Sequence, residues 1–326
     1  MTMQEPPATW HTHNFRAMGS LIGLWLDLDD AAEASAAFAR VEALFADNEQ
    51  ALSRFRPDSE LNQLNDGSGD WVPVSALLWQ QVNQAVRMAA LTDGYFDPTL
   101  ANALKQAGYG QTFANMAGDV GPSTVSYGSA ALGQWTGVEF DMGRRAIRLP
   151  AGVRLDLGGI AKGDTGQQAV ALLSDIGPCL VDAGGDLVAG PAPREAPGWP
   201  VAIGSPWHGL DQEPPDLAQL WLAEEAMATS GVDYRRWLQG DTMRHHLIDP
   251  WTGEPADTDG LTVTVLASQA AVAEAWATAT LVAGSGYGMA NLLDHDVAGL
   301  MVTQTGRILA TPAMDEKLQS VVNHLV

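Results

Sequence analysis

The chain has 326 residues, 46% of them hydrophobic, enough for one large core or two tightly joined halves. Seventeen basic residues against 39 acidic ones give a formal charge of -22, which argues against nucleic acid or an anionic membrane surface as a partner. The single cysteine, Cys179, excludes an intrachain disulfide and a cysteine-based zinc cluster, and its apolar neighbours suit a buried thiol.

Residues 1–13 carry two prolines and two histidines with no basic start leading into an apolar run, so they read as a flexible lead without a secretion signal. Residues 14–326 then read as one domain, with two intimately packed halves as an option. No window approaches eighteen uninterrupted apolar residues, so nothing is expected to insert in a bilayer. Residues 20–28 alternate as a strand should, and 31–45 have the spacing of a helix. Trp71 to Pro73 suits an edge strand, Ser75 an N-cap, and 77–91 a long helix stopping at Asp93-Gly94. The stretch 110–137 is weakly periodic and rich in Gly, Ser and Thr, which marks an irregular surface region. Residues 138–140 and 146–149 suggest a hairpin, and 191–199 a proline-rich loop. Residues 199–203, 220–228, 244–248 and 261–266 have strand character, 208–215 should be exposed, and 270–283 is strongly helical. Strands and helices alternate without a strict rhythm, so an α+β architecture is expected.

Two glycine-rich turns carry the chemistry. In Leu155-Asp156-Leu157-Gly158-Gly159-Ile160-Ala161-Lys162-Gly163, the apolar residues from Val153 read as the end of a buried strand and 167–173 as a helix. Glycines there let main-chain N–H groups approach oxygens, a helix N-terminus adds partial positive charge, and Lys162 supplies a point charge. Either this is a phosphate-handling turn or a helix entry with a solvated lysine. Asp182-Ala183-Gly184-Gly185-Asp186 repeats the arrangement after the apolar run 179–181, which suggests one shared ligand. Neither turn has the G-x-G-x-x-G spacing of a Rossmann domain, and Ala228-Thr229-Ser230-Gly231 lacks the first glycine of a hydrolase nucleophile elbow.

Further segments join these in order: Phe15-Arg16-Ala17-Met18-Gly19-Ser20, Leu52-Ser53-Arg54-Phe55, Gly94-Tyr95-Phe96-Asp97-Pro98-Thr99, and His245-His246-Leu247-Ile248-Asp249-Pro250. From about residue 14 to 311 the chain resembles the ApbE family of FAD:protein FMN transferases. The resemblance implies a T-fold-like arrangement of mixed, largely antiparallel sheets with packed helices. It also implies FAD as substrate, Mg²⁺ as cofactor, and an acceptor flavoprotein whose Ser or Thr hydroxyl receives FMN while AMP leaves. Many family members are exported or lipid-anchored, and this chain looks like a cytoplasmic form.

By the same resemblance, Met18 and Phe55 would face the flavin ring, and Phe96, Asp97 and Pro98 would form a second contact segment. Asp156 and Lys162 would act from the first turn, and Ile248 beside His246. Phe55 stands where the family commonly has tyrosine, keeping a stacking face and losing a hydroxyl. The metal would be held by the Gly159 carbonyl, Glu274 and Thr278, the last two sharing one helical face. The family has Asp where Glu274 stands, so this acid reaches about one bond further. For the reaction itself, His246 is the candidate base because an unperturbed imidazole titrates near 6.5, Asp249 would orient it, and Lys162 would neutralise phosphoryl charge. Two rivals share the pocket: an FAD pyrophosphatase releasing FMN and AMP, and a noncatalytic FAD carrier.

Overall fold

A computed structural model describes residues 10–116, 133–207 and 216–321. The first two strands, β1 (Trp10–Ala17) and β2 (Ser20–Asp27), form a hairpin closed by Met18 and Gly19, both at positive φ (51° and 73°). That turn geometry matches the right-handed twist of paired strands. Residues 10–13 of the expected flexible lead are therefore sheet residues, with Trp10 opposite Asp27 and His13 opposite Leu24, while 1–9 lie outside the described residues. Asp30 then starts α1 (Ala31–Leu52) by accepting from the Ala32 and Glu33 N–H groups.

Next come α2 (Glu60–Asp66), β3 (Trp71–Pro73), α3 (Ala76–Leu91) with Ser75 as its N-cap, and α4 (Ala101–Gln106). The hairpin expected at 138–149 is β4 (Glu139–Asp141) with β5 (Ala146–Arg148). They are followed by α5 (Ala161–Ser174), β6 (Cys179–Ala183), β7 (Leu187–Ala189) and β8 (Trp199–Ile203). The chain continues through β9 (Ala218–Leu222), β10 (Ala226–Gly231), β11 (Arg236–Gln239), β12 (Thr242–His245) and β13 (Gly260–Ala267). The last elements are α6 (Ala270–Asp294), β14 (Ala298–Thr303), β15 (Ile308–Ala310), α7 (Pro312–Asp315) and β16 (Leu318–Val321).

Eight strands form one antiparallel sheet in the order β1-β2-β6-β7-β10-β13-β14-β15, and the smaller sheet β16-β9-β8 stacks on it. Alternation sets the two faces of the large sheet. Met227, Leu266 and Leu300 pack with Trp199 and Leu220 of the small sheet, whereas Ala228, Val263, Val265 and Met301 pack against Trp276 and Leu281 of α6. Helix α1 lays Phe38, Val41 and Phe45 against β2, β6 and α5, and a further core joins α2, α3 and β5 to Ala271, Ala275 and Ala279 of α6. The architecture is α+β, as expected, and α6 is the post between both helical cores.

Several local expectations change. The run 153–157 alternates buried and half-buried residues but is no strand: its only ladder contact among the described residues is an isolated bridge between Arg154 and Leu100. The Asn65 side-chain amide and the Pro98 carbonyl take the place of a neighbouring strand. Helix α5 begins at Ala161 rather than 167, because Gly163 and Gly166, poor helix formers, sit inside it to let Glu274 and Val188 come close. The expected strand 220–228 is two strands of different sheets, broken where Glu224 takes a left-handed φ of 51°. Of the irregular stretch 110–137, residues 117–132 lie outside the described residues, as does 208–215. The expected helix 270–283 ends where α6 kinks, at Gly284 (φ 76°, ψ 176°), and the helix resumes beyond it.

Candidate active site

The Leu155–Asp156 backbone is held by other chain segments rather than by a sheet. Asn65 Nδ2 donates to the Leu155 carbonyl (3.0 Å) and Asn65 Oδ1 accepts from the Leu155 N–H (2.7 Å), both buried. The Asp156 N–H donates to the Pro98 carbonyl (2.8 Å), so two expected contact segments are tied together. Phe96, itself buried, lies under the first turn: a Cβ on Gly159 would stand 3.0 Å from its ring. Asp97 caps its own turn, Oδ1 accepting from the Thr99 N–H at 2.7 Å and hydroxyl at 2.5 Å. Its Oδ2 is buried without a partner, and burial pushes the carboxyl up.

Lys162 occupies the first turn of α5, where the helix offers its positive end. Its Nζ donates to the Gly158 carbonyl at 3.2 Å and stands 3.3 Å from Asp186 and 3.5 Å from Glu274. Asp186 closes the second glycine turn, in which Gly184 and Gly185 have φ of 77° and 99°. The two turns and the α6 acid thus meet on one ammonium group. Burial opposes the charge on Lys162, but Asp186 and Glu274 together outweigh it and hold the amine protonated. Glu274 is 4% exposed and neither of its oxygens has a hydrogen-bond partner of ordinary geometry. Burial first, then the Asp186 charge, raise its pKa well above the usual range, since one lysine cannot balance two buried carboxylates. One turn along α6, the Thr278 hydroxyl meets Ser230 of β10 at 3.0 Å, and the Thr229 N–H reaches Asp186 at 3.4 Å.

Among the described residues, no three His, Cys, Asp or Glu side chains gather to hold a metal. The donor set here is oxygen-only and mixed: the buried Glu274 carboxyl, met by the Lys162 ammonium only at 3.5 Å, the Thr278 hydroxyl one turn away, and main-chain carbonyls of the first turn. Hard oxygen donors of this kind fit Mg²⁺.

A second group adjoins this one through Asp156. Arg54 Nε donates to Asp156 Oδ2 at 2.7 Å, and its guanidinium lies over the rings of Phe55 (4.0 Å) and Tyr109 (4.7 Å). Tyr109 stacks on Trp237 at 5.3 Å and presents an edge to His246 at 6.4 Å, so Phe55 and His246 belong to one aromatic group. His246 has a buried Nδ1 without a partner. Burial, and then the charge of Arg235, pull its pKa down to about 3, against a hydrogen bond from the ring to the Arg235 main chain. Asp249 does not reach it: Asp249 Oδ1 accepts from the Trp251 N–H at 2.8 Å. Ile248 is buried among Leu100, Leu104 and Trp237. Met18 is half-buried between two cores and donates its N–H to Glu49 Oε2 at 2.9 Å.

Arg54 and Asp186 stand inside the motifs quoted above, yet nothing local in the sequence assigns them a partner 102 or 24 residues away. Tyr109 and Arg235 carry no sequence signal. A surface hollow of about 310 Å³ between β1 and α1, lined by His11, His13, Phe38 and Glu42 among others, includes none of these groups.

Comparison with known proteins identifies the family and the fold. The chain matches the model of the ApbE family over residues 18–301. It is 32% identical to the FAD:protein FMN transferase of Treponema pallidum over 268 residues, 78% of this chain and 73% of that protein. It is 30% identical to the enzyme of the same name from Vibrio cholerae, covering 81% and 78% of the two chains. The crystal structure of the ApbE protein of Thermotoga maritima superposes with a TM-score of 0.83 at 26% identity, over 95% of this chain and 100% of that one. The T-fold-like arrangement is therefore shared, and the chain belongs to the ApbE family.

Proposed function

We propose that the protein moves FMN from FAD to a Ser or Thr hydroxyl of an acceptor flavoprotein, with Mg²⁺ as cofactor and AMP as the product released. The observation that carries this reading is the meeting of Lys162, Asp186 and Glu274 at one buried point where both glycine turns end. The names borne by the curated relatives support it. In the reaction the acceptor oxygen forms a bond to the FMN-side phosphorus, the bridging P–O bond breaks, and AMP departs with the bridging oxygen. The chain's task is positioning and charge neutralisation.

Lys162 and the N-terminus of α5 direct positive charge at the diphosphate. The half-buried Phe55 ring offers a flat wall to the isoalloxazine, with Tyr109 set edge to face beside it. His246 is neutral at neutral pH, so its free Nδ1 can accept the proton of the incoming hydroxyl. Its depressed basicity makes it a weak base until phosphate charge enters the site and raises it. Glu274, Thr278 and the Gly159 carbonyl would hold Mg²⁺, whose charge, when bound, stabilises the phosphoryl oxygens.

The test mixes the protein with FAD, Mg²⁺ and a flavoprotein domain bearing a Ser/Thr flavinylation site. Acceptor mass increased by one FMN, with AMP released, is expected. Free FMN without a modified acceptor indicates hydrolysis instead, and absence of AMP indicates a carrier. Glu274→Ala should abolish the Mg²⁺ dependence, and turnover unchanged by that substitution would reject the metal assignment.

A further inference from the structure

Arg54 is a cation enclosed on nearly every side. Its side chain is 4% exposed, Nε is taken by Asp156 at 2.7 Å, and Nη1 donates to the Tyr109 carbonyl at 2.9 Å. Its Cζ lies 4.0 Å from the Phe55 ring centre and 4.7 Å from that of Tyr109, two rings set edge to face. What remains is Nη2, buried and without an acceptor among the described residues. Buried N–H groups almost always have a partner, and one left over beside a binding wall asks for a ligand oxygen to complete it.

We infer that Arg54 is a flavin-binding residue of this chain, its Nη2 donating to a pyrimidine carbonyl of the isoalloxazine ring. The inference rests on the proposed flavin pocket and goes beyond it by naming the group that reads the ring. Two features select a ring carbonyl over a phosphate. The guanidinium charge is already balanced by Asp156, so a neutral acceptor completes the site without adding a second anion beside that carboxylate. The free N–H also belongs to a guanidinium packed on the Phe55 ring at 4.0 Å, the wall against which a flat ligand would lie. Phe55 has no phenolic donor of its own, and Arg54, 4.0 Å above that ring, carries the unpartnered N–H instead.

The experiment titrates riboflavin and FAD separately into the wild-type protein and into Arg54→Lys and Arg54→Met, following flavin fluorescence. Riboflavin carries the ring without the diphosphate. Affinity for both ligands should fall together by about 10- to 100-fold in Arg54→Met, the range for a hydrogen bond with a charged partner. Infrared difference spectra of bound riboflavin should show a carbonyl stretch moved to higher frequency in both variants. Arg54→Lys keeps a cation opposite Asp156, so it reads the contact even if Arg54→Met does not fold. A loss confined to FAD would overturn the inference in favour of a phosphate contact, and unchanged affinities with an unchanged stretch would overturn it outright. A wild-type protein that binds neither flavin would instead reject the flavin pocket as a whole.

Discussion

Gly163 and Glu274 fit one another: a Cβ added to Gly163 would overlap the Glu274 carboxylate, and would also stand 3.0 Å from the Ala270 methyl. The glycine in the first turn of α5 thus makes room for the Glu274 carboxyl. Gly163→Ala should destabilise the protein by about 1–3 kcal/mol through overpacking, despite the better helix propensity of alanine. Glu274→Asp in the same chain should recover part of that loss, and a double-mutant cycle in urea measures the coupling. Additive effects would mean that the two side chains do not compete for space.

Lys162 is the sole cation within ion-pair distance of Asp186 and Glu274 among the described residues. Lys162→Met leaves two buried carboxylates facing each other, and removing one partner of a buried ion pair typically costs about 3–5 kcal/mol. Glu274 already holds its proton above the usual range, so the folded state binds more protons than the unfolded one there. Stability linked to it is greatest below the unfolded value of 4.5 and falls as pH rises through the raised folded value. Lys162→Met should therefore lose more stability at pH 8 than at pH 5, as urea unfolding at the two pH values will show, and turnover of FAD should be lost.

The parts of this site that the sequence makes legible are those encoded by local chemistry. Ser75 caps α3 as its type and position require, and Gly184 and Gly185 take the positive φ that a turn after a strand demands. Lys162 reaches the second turn because α5 packs its Ala169 and Val170 against Val181, Ala183 and Val188 of the strands flanking that turn. The rest depends on distant partners. Residues 153–157 have the pattern of a strand, but Asn65, 90 residues earlier, takes both backbone hydrogen bonds of Leu155 and the Pro98 carbonyl takes that of Asp156. Gly163 and Gly166 look like turn residues, and only the close approach of Glu274 and Val188 explains them inside a helix. His246 has the residue type of a base, yet its burial and Arg235 set its protonation.

His246 gives a pH signature with the opposite sign to Glu274. Its pKa, lowered to about 3 from 6.5, means that the unfolded chain binds more protons between those values. The stability it contributes is complete above 6.5 and lost as pH falls toward 3. His246→Gln should therefore flatten the decline of unfolding free energy between pH 6.5 and 5 relative to wild type, measured in urea. An identical slope in the two proteins would place the imidazole in solvent with an ordinary basicity.

Asn65 connects the stability of the fold to the geometry of the site. Its amide makes both hydrogen bonds that the Leu155 backbone would otherwise find in a neighbouring strand, at 3.0 and 2.7 Å. Asn65→Leu keeps the volume and removes both partners, leaving a buried N–H and a buried carbonyl unsatisfied, at a cost on the order of 3 kcal/mol. The loss should not stay local, because Asp156 follows directly and carries the Arg54 ion pair. Asn65→Leu should accordingly weaken FAD binding as well as lower the urea midpoint, whereas Asn65→Asp, which still accepts from the Leu155 N–H, should retain more of both. If FAD affinity stays at the wild-type value while stability falls, the Leu155–Asp156 backbone is held in place by the Pro98 contact alone.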